Sequence, residues 1–228
     1  MKTPSLESRF QLAALLAISL LEFHNVDWVH KSLNAYNILF FTSENGDVQF
    51  SEPYIVGFDF SRPDKSGGIS LTTRASTLDI YRHPETRRIT HSANQAQVYK
   101  KEFDVYSLGL ILFEIGLWRR LDEFPKPNLT PEAFKERIVN YVQRDMPLWM
   151  GETYKRVVLN CLSADYSEKI GTIALPTENN EKQMPREGEE STELEEQEAN
   201  MRALNGFYRH IVSELGRCQC GQLESQLF

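Results

Sequence analysis

Between Val26 and Phe41 two short apolar pieces enclose a polar loop, His30-Lys31-Ser32-Leu33-Asn34-Ala35-Tyr36-Asn37, which brings an imidazole, a hydroxyl and two primary amides together. Loops held between packed segments are where chemistry is carried, so this one is the first candidate. Its hydroxyl, Ser32, has a pKa far above 7 and does not take up a proton as a carboxylate would. Downstream, Gly57-Phe58-Asp59-Phe60-Ser61-Arg62-Pro63 ends an apolar strand region and offers one carboxylate, Asp59, with Arg62 or a backbone donor as its expected partner. Gly67-Gly68 has no strand before it and no helix after it, so it reads as turn chemistry rather than a phosphate cradle. The Ser, Thr and Gly content of Asp64 to Thr77 marks a long surface loop, in which Thr72, Thr73, Ser76 and Thr77 are candidates for phosphorylation. Cys161, Cys218 and Cys220 are odd in number, and no His cluster stands near them to complete a tetrahedral metal site.

These residues need a frame, and the stretch from Phe103 to Trp118 supplies its axis. Only Asp104 and Glu114 carry charge in it, so it reads as a helix about 24 Å long with neighbours on nearly every side. A carboxylate at the mouth of a buried helix is costly unless hydrogen-bonded, so Asp104 is expected to grip backbone donors from another segment. Ser5 opens an earlier helix that carries a broad apolar face to about His24-Asn25. Asn45-Gly46-Asp47 is a turn signal, with Ile38–Phe41 pairing either Val48–Phe50 or Tyr54–Val56. Thr130 caps a helix over Pro131–Val142, and Thr153–Leu162 is another. Thr177 to Asn200 is too polar to form a core, although Ser191–Leu204 has the pattern of an exposed helix. Apolar periodicity returns at Phe207–Leu215, which should dock on the core and make the acidic run an insertion.

The charge balance narrows the choice of partners. Glu178 to Glu198 holds nine Glu against Lys182 and Arg186, which accounts for the whole formal charge of -7. The remainder is neutral, with no basic patch to suggest nucleic acid. No run is long and apolar enough to suggest a membrane span. Lys2 and the apolar run Leu12–Leu21 imitate a signal peptide, but Glu7 and Arg9 intervene and no small-residue cleavage pattern follows. The expected setting is intracellular, cytoplasmic or nuclear, with proteins of unknown identity as partners and neither nucleic acid nor membrane.

In this order the motifs resemble the C-terminal lobe of a eukaryotic protein kinase over about Ser5 to Arg217. His30 to Asn37 stands where that family has its catalytic loop, H-R-D-L-x-x-x-N, and Gly57-Phe58-Asp59 where it has D-F-G. His83-Pro84-Glu85 is similar to A-P-E, and Asp104-Val-Tyr-Ser-Leu-Gly109 to the central helix whose Asp braces the catalytic loop. In detail the chain is most similar to degenerate kinase-like domains of filamentous fungi. The resemblance implies a mainly α fold with a few short β-strands, in kinase C-lobe architecture around one buried central helix, without an N-lobe. Residues 1–217 would form the lobe, interrupted by a flexible acidic insertion at 177–200, and 218–228 a C-terminal tail.

The same resemblance implies that the chemistry is gone. Ser32 replaces the catalytic Asp, Asn34 the Lys that contacts the transferred phosphate, and Gly57 the metal-binding Asp. Asn37 alone persists, and an amide oxygen by itself is a poor magnesium site. Asp59 is a weak substitute ligand, because two residues along an extended segment displace a side chain by about 6.6 Å. His30, Pro84, Glu85 and Asp104 are implied to be structural, His30 as a packed residue of the loop rather than a base. No Gly-rich phosphate-covering loop or ATP-gripping Lys and Glu pair precedes the first helix. The expected function is therefore a catalytically inactive pseudokinase module acting as a protein-interaction or signalling scaffold. No cofactor is expected, and ATP with magnesium only if an N-lobe is supplied elsewhere. The alternatives are a divergent ATP-dependent protein kinase whose N-lobe lies outside this chain, and a truncated fragment without function.

Overall fold

The computed structural model describes residues 3–63, 77–88, 99–124, 129–163 and 190–225 of the 228. The fold is mainly α-helical with a few short antiparallel strands. Helix α1 (Leu6–Asn25) begins where Ser5 Oγ accepts the N–H of Ser8 at 3.1 Å, a side-chain cap on an otherwise orphaned donor. Its apolar face, including Leu12, Leu16 and Leu20, is buried. Helix α2 (Pro84–Arg88) is a short turn that leads toward the axis, α3 (Lys101–Leu117). Every residue of α3 from Phe103 to Gly116 is buried, as its lack of a polar stripe requires.

The long helix α4 (Pro131–Ser163) makes the most extensive contact with α3. Two glycines set that approach. A Cβ on Gly109 would lie 2.7 Å from the Cβ of Cys161, and one on Gly116 2.5 Å from the Sδ of Met146. Both glycines lie on one face of α3, two helical turns apart, so any side chain there would push α4 away. Thr130 Oγ1 accepts the N–H of Ala133 at 3.2 Å and caps α4. As the sequence predicts, this segment is two helices: the chain breaks at Gly151, whose φ of 81° and ψ of 169° are not helical, and the first helix runs past the expected Val142 and through Pro147 to the break. The extension has a packing reason: Ile138, Val142, Met146 and Met150 form a buried row at helical spacing that carries the first helix past Pro147. At the far end of α3, Arg9 of α1 donates Nη1 to the carbonyl of Gly116 at 2.8 Å, placing positive charge where the helix dipole is negative.

Four two-residue strands complete the candidate loop's surroundings. Strand β1 (Trp28–Val29) pairs antiparallel with β4 (Arg62–Pro63), and β2 (Ile38–Leu39) with β3 (Tyr54–Ile55). Both predicted pairings of the Ile38–Phe41 segment are used in part. Ile38 and Leu39 face Ile55 and Tyr54, while Phe41 accepts the N–H of Gln49 at 2.9 Å and Thr42 bridges to Val48.

At the C-terminus α5 (Glu190–Phe207) continues through a π-helical segment, Tyr208–Val212, into α6 (Ser213–Ser225). Phe207, Ile211 and Leu215 are buried, so this end docks on the core as its periodicity predicts. The helical region starts earlier than the end of the expected insertion. Asn200 is tied down, with Nδ2 donating to Asp27 Oδ1 at 2.9 Å and Oδ1 accepting from Lys101 Nζ at 2.8 Å. Helix α6 runs through Arg217 to Ser225. Gly67, Gly68, Thr72, Thr73, Ser76 and the acidic run from Thr177 to Glu189 lie outside the described residues. Among the described residues no helix is long and apolar enough to cross a membrane.

Candidate functional site

Asp104 is fully buried in the first turn of α3 and organises the polar loop by its backbone. Its Oδ2 accepts the N–H of His30 at 2.7 Å, and its Oδ1 accepts the N–H of Lys31 at 2.9 Å and the Tyr99 hydroxyl at 2.9 Å. His24 Nε2 lies 3.4 Å from Oδ2. Burial alone raises the carboxyl's pKa, yet the His24 contact and the two backbone donors outweigh it and hold Asp104 below its ordinary value. The loop therefore closes over a carboxylate that remains ionised. Lys31, at a φ of 68°, takes the left-handed conformation that presents both N–H groups to Asp104.

The loop's own polar groups are spent on holding its shape. His30 is 1 % exposed, and both ring nitrogens are engaged by backbone. Its Nε2 lies 3.1 Å from the carbonyl of Val56, and a carbonyl only accepts, so that nitrogen carries the proton. Nδ1 then accepts the N–H of Ser32 at 3.3 Å. Burial lowers the imidazole's pKa, despite the attraction of Asp104. Phe58 and Phe23 pack against the ring, with centroids 5.0 and 6.3 Å away. The carbonyl of Ser32 accepts two amides, Asn34 Nδ2 at 2.6 Å and Asn37 Nδ2 at 2.8 Å. Asn34 is itself buried, and its Oδ1 accepts the N–H of Tyr36 at 2.9 Å to cap the 3₁₀ turn Ala35–Asn37.

Gly57 closes the site from the other side. Its φ of 85° is left-handed, and a Cβ built on it would lie 2.3 Å from Asn37 Nδ2. Asn37 and Gly57 thus fill one another's space. The expectation for Asp59 rests on an extended segment that is not there: Phe58–Phe60 is a 3₁₀ turn and Asp59 is exposed. The predicted pairing with Arg62 does not form either, because Arg62 is held in β4 against Val29 while the turn carries Asp59 away. Pro84 is buried at the start of α2, and Glu85 is exposed with its N–H donated to His83 Nδ1 at 3.3 Å. His83 stacks on Phe103 at 4.8 Å, and its pKa falls to about 4 through burial and the nearby charge of Lys135. Among the described residues no three His, Cys, Asp or Glu side chains cluster as metal ligands.

A second polar feature stands toward the other end of α3. Glu114 is 7 % exposed; its Oε1 accepts the Tyr81 hydroxyl at 2.7 Å and the N–H of Leu121 at 2.5 Å, while its Oε2 is buried without a partner. Burial, with Asp122 and Glu123 adding to it, raises its pKa to about 7. Its signal in the sequence is plain, a lone Glu in an apolar helix, but its satisfaction depends on Tyr81 and Leu121, whose proximity no local pattern reveals.

The site so defined is a polar loop clamped through its backbone to one buried carboxylate, with the side chains of His30, Asn34 and Asn37 bonded to backbone. Residues 2–217 match the family described as Domain of unknown function (DUF7580), and the chain belongs to that family. No curated protein matches it.

Proposed function

We propose that this chain is a kinase-like C-terminal lobe that no longer handles phosphate and works as a protein-interaction scaffold. The backbone clamp from Asp104 to His30 and Lys31 supports the kinase-like part, since the resemblance implies just such a bracing carboxylate. The observation that carries the loss of chemistry is the mutual packing of Asn37 and Gly57, where a Cβ would fall 2.3 Å from an amide nitrogen. Phosphoryl transfer depends on placed charge, a carboxylate on the acceptor hydroxyl and anionic oxygens on magnesium. Here the Asn37 amide nitrogen donates to the Ser32 carbonyl and leaves a single neutral oxygen for a metal, and the position that would supply the carboxylate has no room for one. These residues do not fit a magnesium nucleotide.

A binding role is supported by apolar surface. Leu39, Phe41 and Tyr54, on and beside the β2–β3 pair, are about half exposed at 48, 59 and 47 %. Side chains of this size left in water mark a contact surface when they group together, and Phe41 and Tyr54 do, with ring centroids 5.0 Å apart.

The test is calorimetric titration of the chain with magnesium ATP, followed by a phosphotransfer assay on a general protein substrate. No binding and no transfer are expected, and Ser32→Ala should leave the association with a purified partner intact while Phe41→Glu abolishes it. Phosphate transfer that disappears in Asp59→Asn would overturn the proposal.

A further inference from the structure

The orphaned oxygen of Glu114 belongs to a residue that lines a cavity of about 460 Å³, a volume typical of small-molecule sites. The walls come from α1, β2 and α3 and are mostly apolar, including Leu16, Ile38, Phe40, Ile111 and Trp118. Of the loop that Asp104 holds, Ala35 lines this cavity, while His30 and Lys31, the residues Asp104 clamps, do not. A buried carboxylate with one oxygen unsatisfied is a costly arrangement, and the cost is removed by a positive charge with hydrogens to donate.

The cations already nearby do not supply it. Arg119 Nε bonds Glu123 Oε2 at 3.3 Å, with its guanidinium 4.6 Å over the ring of Phe124. Arg120 Nη2 bonds Asp122 Oδ2 at 2.5 Å and lies 4.9 Å over the ring of Tyr36. Each arginine is therefore held between a carboxylate and an aromatic face, and the other contacts to Glu114 are the neutral Tyr81 and Leu121 donors on Oε1. We propose that this cavity binds a small hydrophobic amine, its ammonium against Glu114 and its apolar body against the walls from α1, β2 and α3.

The charge makes the binding pH-dependent in a defined direction. The groups facing Glu114 are Tyr81, Arg119, Arg120, Asp122 and Glu123. With the Glu114 carboxyl at about 7, its ionised fraction falls about tenfold from pH 8 to pH 6. Titration calorimetry of the full chain with 4-phenylbutylamine at both pH values, and with the neutral 4-phenylbutanol, reads this directly. The amine should bind at pH 8, weaken about tenfold at pH 6 and exceed the alcohol at pH 8, while the alcohol ignores pH. Glu114→Gln, checked for folding by circular dichroism, should remove the amine's advantage; the wild-type comparison stands even if that variant folds poorly. Absence of binding by either ligand, equal binding of the two at pH 8, or amine binding indifferent to pH would overturn the assignment.

Discussion

Asp104→Asn tests the clamp that defines the candidate site. The carboxylate accepts from His30 and Lys31 at 2.7 and 2.9 Å and from Tyr99 at 2.9 Å, with His24 beside it. Asn retains one acceptor oxygen and turns an amide NH₂ toward the donors on the other side. Whichever way the amide points, at least one backbone N–H loses its acceptor inside the protein. A hydrogen bond to a charged group contributes about 1.5–3 kcal/mol, and a buried donor left unpaired costs about 1–3 kcal/mol more. The expected loss is about 3–5 kcal/mol, the range for breaking a buried ionic contact on one side. Against a total stability of about 5–15 kcal/mol this takes much of the margin.

The assay is urea unfolding of wild type and variant, followed by circular dichroism across pH. Because the folded carboxyl lies below its ordinary value of 3.8, its stabilising effect is complete above that value and is lost as pH falls through the folded pKa. The gap between the proteins should stay constant from pH 8 to about 5 and narrow only in acid. A loss below about 1 kcal/mol, or a gap already closed at pH 6, would refute the reasoning.

Two further substitutions probe charge and space. Glu114→Gln should behave in the opposite sense: burial raises this carboxyl from 4.5 to about 7, so wild-type folding takes up a proton between those values and stability falls as pH rises through the window. The Gln variant should be more stable than wild type at pH 8 by about 2–3 kcal/mol, and urea midpoints at pH 8 and pH 5 should show the advantage vanishing at the lower value. Gly57→Asp would place a carboxylate at the position the kinase resemblance assigns to a metal ligand, yet the left-handed φ and the displaced Asn37 amide should cost about 2–4 kcal/mol, read by thermal melting. Magnesium should not stabilise that variant, and Asn37→Ala in the same chain should recover part of the loss.

How much of this was legible depends on the range of the contacts involved. The buried axis, the Ser5 and Thr130 caps and the docking of Phe207 are written in local pattern and follow from periodicity and side-chain chemistry. Asp104 was legible as well, because a charge in so apolar a helix has few options. The backbone around Asp59 was not legible, because the 3₁₀ turn after a left-handed Gly57 is a tertiary choice. Two-residue strands such as β1 and β4 are too short to leave an alternation, and Pro63 argues against a strand on its own. The run of α4's first helix past Val142 and Pro147 was hidden for the same reason, since its buried row is rewarded by packing on α3.

The two buried charges on α3 now separate into two electrostatic roles. Asp104, satisfied on both oxygens, fixes the polar loop and is insensitive to pH near neutrality. Glu114, with one oxygen orphaned, changes protonation in that range. Tyr81 is the link between Glu114 and the rest of the fold, since its hydroxyl donates to Glu114 while its carbonyl accepts from Ser107 Oγ at 2.9 Å. Tyr81 also ends the turn that leads into His83 and α2. A cation that holds Glu114 ionised strengthens the Tyr81 hydroxyl bond, because a charged acceptor binds a donor more tightly than a neutral one. Occupancy of the cavity should therefore slow amide exchange at Arg82 and Thr86, next to that turn and at the start of α2, without altering exchange at His30 or Lys31. Equal protection of both groups would mean that α3 responds as one rigid body and that its two charged sites are not independent.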